Sequence, residues 1–244
     1  MKHTNRSSYV FVSFACVAAF ALLLLSGCRQ AGAPTTQPSS AQPATESGAL
    51  AAAAAARAAS PIAPGNFDYY LLTLSWAPEY CHGHRNSPEC NGDHPGFVVH
   101  GLWPQFQNGR WPSQCSSMPG LADPSAMLDL MPDPRLIAHE WSTHGTCTGL
   151  TARQYFSVIR QAYNSIKIPP SLVHPSRTTQ QSATAIKQLF IDANPELSAG
   201  SIAVSCHNRY LAGVEFCLSK SLQPIACQAV RDCDQSSIRI PAAQ

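Results

Sequence analysis

The chain has almost no surplus of charge of either sign. Its 244 residues carry 16 Lys and Arg against 14 Asp and Glu. Lys2 and Arg6 lie in an N-terminal segment expected to be removed, and without them (16 less 2) the balance is 14 against 14. A protein that coats nucleic acid through its overall field needs a large basic excess, so that class is excluded. A polyanionic ligand would have to be gripped locally, in a cleft. The chain also lacks an apolar run suited to an ordinary membrane span. Tyr9 to Leu25 is almost wholly apolar, but at 17 residues it is short for a span and normal for the core of a signal peptide. No internal repeat is visible.

What is present begins with that signal. A basic start at Lys2 and Arg6 leads into the apolar core, which ends in Leu25-Ser26-Gly27-Cys28. This is the pattern of a bacterial lipoprotein cleavage site, in which small residues fit the peptidase and the cysteine thiol takes the lipid after export. Residues 1–28 are therefore expected to be a signal peptide with Cys28 as the lipid acceptor and membrane anchor. Arg29 stands where lipoproteins retained at the inner membrane often carry Asp, so the expected address is the cell envelope, with outer-membrane anchoring. Residues 29–65 are dominated by Ala, Pro, Ser, Thr, Gln and Gly and hold no aromatic side chain. Such a segment cannot bury enough apolar area to offset its ordering entropy and reads as a disordered tether. From Asn66 to Gln244 the texture turns aromatic, β-branched and cysteine-containing, and these 179 residues suit one domain, expected to be a monomer.

Ten cysteines agree with export. Cys16 lies in the signal and Cys28 takes the lipid, leaving Cys81, Cys90, Cys115, Cys147, Cys206, Cys217, Cys227 and Cys233. An even number in an exported chain reads as four disulfides. Each typically contributes about 2–4 kcal/mol, mainly by restricting the unfolded chain. The count alone leaves the pairing open.

Strands are expected at Tyr69 to Trp76, Phe97 to Leu102, Ser201 to Cys206 and Arg209 to Leu218. In the last, Tyr210, Ala212, Val214 and Phe216 alternate with other residues, the period of a half-buried strand. Asp133-Pro134 predicts a helix from Pro134 to about His144, with Gly145 as its stop. Thr151 to Gln154 is a capping box, followed by an apolar stripe of Tyr155, Val158, Ile159, Ala162 and Ile166. A third helix is expected over Ser182 to Ala193. Early and late strands around a helical middle make the class α+β.

The chemistry concentrates in two blocks, FVVHGLWPQ at 97–105 and HEWSTHGTC at 139–147. They supply His100, His139 and His144 together with Glu140. Two imidazoles can act as acid and base near neutral or mildly acidic pH. The spacing of His139 and His144 defeats a zinc-protease reading. Zinc would need histidines four apart on one helical face, whereas these are five apart, or about 140° around the helix. Glu140 and His144, four apart, do share a face. The histidines around Cys81, His82, His84, Cys90 and His94 read as a disulfide-closed loop, and no metal is expected anywhere.

The two blocks resemble, nearly letter for letter and in the same order, the active-site segments of the ribonuclease T2 family; the opening NFDYYLLTLSWAPEYC resembles it more diffusely. The resemblance implies an antiparallel sheet flanked by helices and stabilised by disulfides. It also implies an exported endoribonuclease that cleaves single-stranded RNA through the substrate's own 2′-hydroxyl to a 2′,3′-cyclic phosphate. No metal or cofactor is implied, because the nucleophile belongs to the RNA. Position for position, His144 would be the general base and His100 the general acid, labels that can be exchanged without altering the chemistry. Glu140 would help polarise the phosphate and His139 would bind it. Trp103 and Gln105 would lie in a base site, Trp103 by stacking (or, equally, by simple core packing) and Gln105 by hydrogen bonding to the base edge. Trp141 reads as core. The resemblance pairs Cys115 with Cys147; for the rest the expectation is Cys81–Cys90 and the nested pairs Cys206–Cys233 and Cys217–Cys227.

One position departs from the family. Lys or Arg usually precedes the second catalytic histidine, and here Thr143 does. A lost cation there weakens transition-state binding by a few kcal/mol, by analogy with lost oxyanion donors. Another basic group reaches in, His139 carries more of the load, or the enzyme is slower. The alternative reading is a weak or inactive member of the fold, a surface lipoprotein that binds RNA or another partner.

Overall fold

The computed structural model describes residues 63–91 and 96–243. The expected signal segment with Cys28, nearly all of the tether, and His94 lie outside the described residues. The tether does end earlier than expected. Gly65 already donates its N–H to the Cys147 carbonyl at 2.8 Å, and Lys220 Nζ reaches the Gly65 carbonyl at 3.2 Å, so the folded body includes residues before Asn66.

Strand β1 (Tyr69–Trp76) runs into a short helix α1 (Ala77–Gly83), which opens with a proline in its first turn. Strand β2 (Phe97–Gln105) continues three residues beyond the expected end at Leu102. Helix α2 (Pro134–Thr143) starts where the Asp133 carboxylate accepts from Arg135 N, and His144 is its C-cap. Gly145 is not left-handed there, unlike the usual glycine stop. It is glycine for space, since a Cβ would lie 2.4 Å from the Trp141 ring and 2.8 Å from Tyr155. Helix α3 (Ala152–Asn164) begins in the reciprocal Thr151–Gln154 capping box. After the single turn α4 (Pro170–Val173) come β3 (Thr179–Gln181), α5 (Ala183–Ala193) capped by Ser182, β4 (Ile202–His207), β5 (Tyr210–Leu218) and β6 (Ile238–Ile240).

The strands form one sheet in the order β2-β1-β5-β6-β3, with β4 paired to β5. The class is α+β as expected. The sheet is antiparallel except where β5 meets β6 in parallel at Tyr210 and Arg239, so it is mixed. One face carries Tyr70, Leu72, Leu74, Leu102, Val214, Phe216 and Val204, packed under Tyr155, Phe156, Ile159, Ile186 and Phe190 of α3 and α5. This is the main core, and burial of its apolar area is what holds the helices on the sheet. The other face carries Tyr69, Leu71, Thr73 and Ser75 from β1. By register it also carries Trp103 and Gly101 from β2, Glu215 and Cys217 from β5, and Ala203 and Ser205 from β4.

Two bulges make this division possible. Thr73 pairs with Gly101 and Leu74 with Val99, so His100 is the extra residue of β2. The bulge keeps both Val99 and Leu102 in the core while His100 and Gly101 face the other way. On β5, Ser205 pairs with Gly213 and Cys206 with Leu211, leaving Ala212 as the extra residue. The expected alternation of Tyr210, Ala212, Val214 and Phe216 therefore holds only from Val214 onward; before the bulge, Leu211 is the buried residue.

The eight cysteines of the folded body are joined as Cys81–Cys90, Cys115–Cys147, Cys206–Cys233 and Cys217–Cys227.

Candidate active site

The site is built on the second face of the sheet, against the C-terminal end of α2. The buried side of that helix is Ile137, Glu140 and Trp141, so a carboxylic acid occupies a position that would ordinarily be apolar. It fits because Gly101 lies opposite. A Cβ at Gly101 would stand 2.0 Å from Glu140 Oε2 and 2.6 Å from Trp103 Nε1. The indole N–H of Trp103 donates to Glu140 Oε2 at 2.7 Å. Among the described residues Glu140 Oε1 has no hydrogen-bond partner, and it lies 3.7 Å from His100 Nε2.

Trp103 brings the two expected histidines together. Its ring lies 28° from the plane of His144 with centroids 5.2 Å apart, and edge-on to His100 at 5.6 Å. Its far side packs on Tyr69, Leu71 and Cys217. Trp103 is thus a packed residue between His144 and this apolar patch, and its N–H also holds Glu140. The His100 Nδ1 lies 3.1 Å from Ser75 Oγ, and its side chain is 39% exposed. In His144, Nδ1 is buried without a partner, which leaves Nε2 as the nitrogen available to the cleft. His139 is exposed on the adjoining turn of α2. Trp141 is core, with its N–H on the Met118 carbonyl at 2.9 Å.

Burial sets the protonation states. Desolvation pushes His144 down to about 4, with the charges of His139 and His100 acting in the same sense. Burial also lowers His100 below its ordinary value, again aided by His139. Glu140 moves the other way, up to about 8, because desolvation outweighs the hydrogen bond from Trp103. In mildly acidic to neutral solution the buried carboxyl is therefore a neutral acid and His144 is an uncharged imidazole. At 1% exposure the Glu140 side chain lies beneath the floor of the site. Its contacts are with Trp103 and His100.

A cleft of about 570 Å³ opens beside His144, lined by Tyr69, Trp103, Gln105, Trp111, Thr143 and Glu215 among others. Gln105 and Thr143 both line it. Ser75, Trp111, Glu215 and Arg231 were not foreseen. Strand alternation could have put Ser75 on the face of Tyr69 and Leu71, but no local signal marks the others. Trp111 is 58% exposed, on a loop held by the Cys115–Cys147 bridge and by Gln114 N on the Thr143 carbonyl at 2.8 Å. Arg231 also lines the cleft, on a segment tied to β4: Asp232 accepts from Val204 N, and Cys233 bridges to Cys206.

The sequence profile of the Ribonuclease T2 family matches residues 67–227. The chain belongs to that family. It is 42% identical over 94 residues to a ribonuclease of Aeromonas hydrophila, covering 37% of this chain and 42% of that one. It is 29% identical over 180 residues to a probable ribonuclease of Haemophilus influenzae, covering 66% of this chain and 61% of that one. The chain thus spans less than two thirds of each of these relatives. Ribonuclease DdI of Dictyostelium discoideum is matched over 86% of its length at 28% identity. Among solved structures, an RNase-related protein from Calystegia sepium superposes with a TM-score of 0.60 at 23% identity, over 73% of this chain and 98% of that one. RNase NT in complex with 5′-AMP superposes with a TM-score of 0.57, also at 23% identity and with the same coverage. These likenesses bear out the T2 fold.

Proposed function

We propose that this protein is an exported endoribonuclease that cleaves single-stranded RNA without a metal ion, by transesterification through a 2′,3′-cyclic phosphate. The observation that carries the reading is the pair of imidazoles flanking one indole, with a buried carboxyl bonded to that indole and facing His100. His144, uncharged above about pH 4, takes the proton of the 2′-hydroxyl as its oxygen attacks phosphorus. The bond from phosphorus to the 5′-oxygen breaks, and protonated His100 delivers a proton to that oxygen. The products are a 2′,3′-cyclic phosphate and a free 5′-hydroxyl. Glu140 is a positioning residue, fixing Trp103 and backing His100. Arg231 lines the same cleft as Thr143, and the charge of His139 already acts on His100 and His144; in this reading these two groups supply the positive charge that Thr143 does not, against the growing negative charge on phosphate. The N-terminal features support export and a lipid anchor at Cys28 in the cell envelope, with the body acting as a monomer.

The test is digestion of yeast RNA by the purified protein in excess chelator, with the new ends examined chemically. Cyclic phosphate ends formed at an undiminished rate are expected. An intact RNA pool, or a rate abolished by the chelator, overturns the reading; intact RNA that is nonetheless bound favours the inactive RNA-binding alternative.

The burial of the two rings implies a shape for the pH profile. The base must be unprotonated, which sets an acidic limb near pH 4 from His144; the acid must be protonated, which sets an alkaline limb below 6.5 from His100. These limbs belong to the pair, so the profile is the same whichever histidine is the acid. A bell in kcat/KM between those limits is expected for a dinucleotide substrate. A maximum above pH 8 would contradict the environment described for these rings.

A further inference from the structure

The cleft beside His144 has an acidic floor that the chemistry above does not use. By register, Glu215 on β5 lies across Thr73 of β1 from Gly101 of β2. Two interstrand steps of about 4.8 Å separate Glu215 from the catalytic strand, roughly the reach of one nucleotide from its phosphate to the pairing edge of its base. Among the described residues Glu215 is the acidic residue lining this cleft, which it shares with apolar Tyr69, Leu71, Trp103, Trp111 and Val230 and with polar Gln105, Ser205 and Arg231. Its register partner Thr73 carries a buried hydroxyl with no hydrogen-bond partner among the described residues. Trp111, exposed at the rim, offers a ring on which a base can stack.

We propose that Glu215 is a specificity-determining residue that gives the enzyme a preference for guanine at the nucleotide held in this cleft. The inference rests on the ribonuclease reading and names the base it favours. An ionised carboxylate offers acceptors only. Guanine alone presents two donors side by side, N1–H and N2–H, on its pairing edge. Adenine and cytosine each set a ring-nitrogen lone pair beside their amino group, and that lone pair would face a carboxylate oxygen. Uracil offers a single N–H between two carbonyls. Burial pushes the Glu215 carboxyl up to about 6, Asp232 adding to this and the Ser205 hydroxyl opposing it, so at pH 7 it is mostly ionised.

The experiment measures, at pH 7, the affinity of the protein for 3′- and 5′-GMP against 3′- and 5′-AMP. It also measures cleavage of the NpU and UpN dinucleotide series. Guanine is expected to bind about tenfold or more tightly than adenine, with the same preference on one side of the cleaved bond. Glu215→Gln keeps the size of the side chain but offers one donor and one acceptor, which suits adenine. In that variant the ratio is expected to fall to unity or reverse, with the melting temperature unchanged. Equal affinity for guanine and adenine in the parent protein, or an unchanged ratio in the variant, overturns the proposal. Binding that prefers GMP without any RNA cleavage would sink the ribonuclease reading and spare this one; cleavage blind to base identity would do the reverse.

Discussion

His144→Ala is expected to lower RNA turnover by about 10²–10⁴-fold, and His100→Ala by a similar factor, with the protein still folded. Neither ring carries part of the main core, and the His144 Nδ1 is already without a partner, so its removal strands no donor. The helix end stays fixed by Gly145 packed on Trp141 and Tyr155 and by the Cys115–Cys147 bridge. Single-turnover cleavage with thermal melting alongside checks this. Most of the activity surviving in either variant, with an unchanged melting curve, removes these histidines from the mechanism.

Gly101→Ala is expected to be nearly as damaging, although the change adds only a methyl group. Its Cβ would stand 2.0 Å from Glu140 Oε2, 2.8 Å from Glu140 Cδ and 2.6 Å from Trp103 Nε1. Glu140 cannot swing aside, since it is buried on α2 under the same contacts. The Trp103–Glu140 hydrogen bond must break or the helix must shift. A displacement of about 1 Å at the reacting groups costs on the order of 10²-fold in rate. Overpacking of this kind adds about 1–3 kcal/mol of destabilisation. Gly83→Ala is the matched control, because a Cβ at Gly83 in α1 meets nothing within 4 Å. Glu140→Ala added to Gly101→Ala should recover stability but not activity. A Gly101→Ala protein as active as the parent would show that the carboxyl is not held where it is described.

Much of this site was legible beforehand, for reasons that differ by residue. His100 and His144 stand in short blocks with distinctive neighbours, and Asp133-Pro134 and the Thr151–Gln154 box mark helix starts that depend on backbone groups only a few residues away. Glu140 was placed on the correct helical face, but its depth was not, because depth depends on Gly101 from another strand. Alternation in β5 was misread near its start, since a bulge is defined by the partner strand and leaves no period of its own. Glu215 and Arg231 went unnoticed because each is an ordinary charged residue until the chain around it is folded.

From its sequence alone this protein's longer helices and strands, its even complement of cysteines and the two histidine blocks could be read, because each is encoded by near neighbours, whereas the short β3, β6, α1 and α4 were not. Only the tertiary structure decided that His100 would occupy a bulge, that Glu140 would be buried and neutral, and that Glu215 would line the cleft. Those outcomes are set by register and desolvation, which arise when segments distant along the chain, such as Ser75 with His100 and Trp103 with Glu140, exclude water between them.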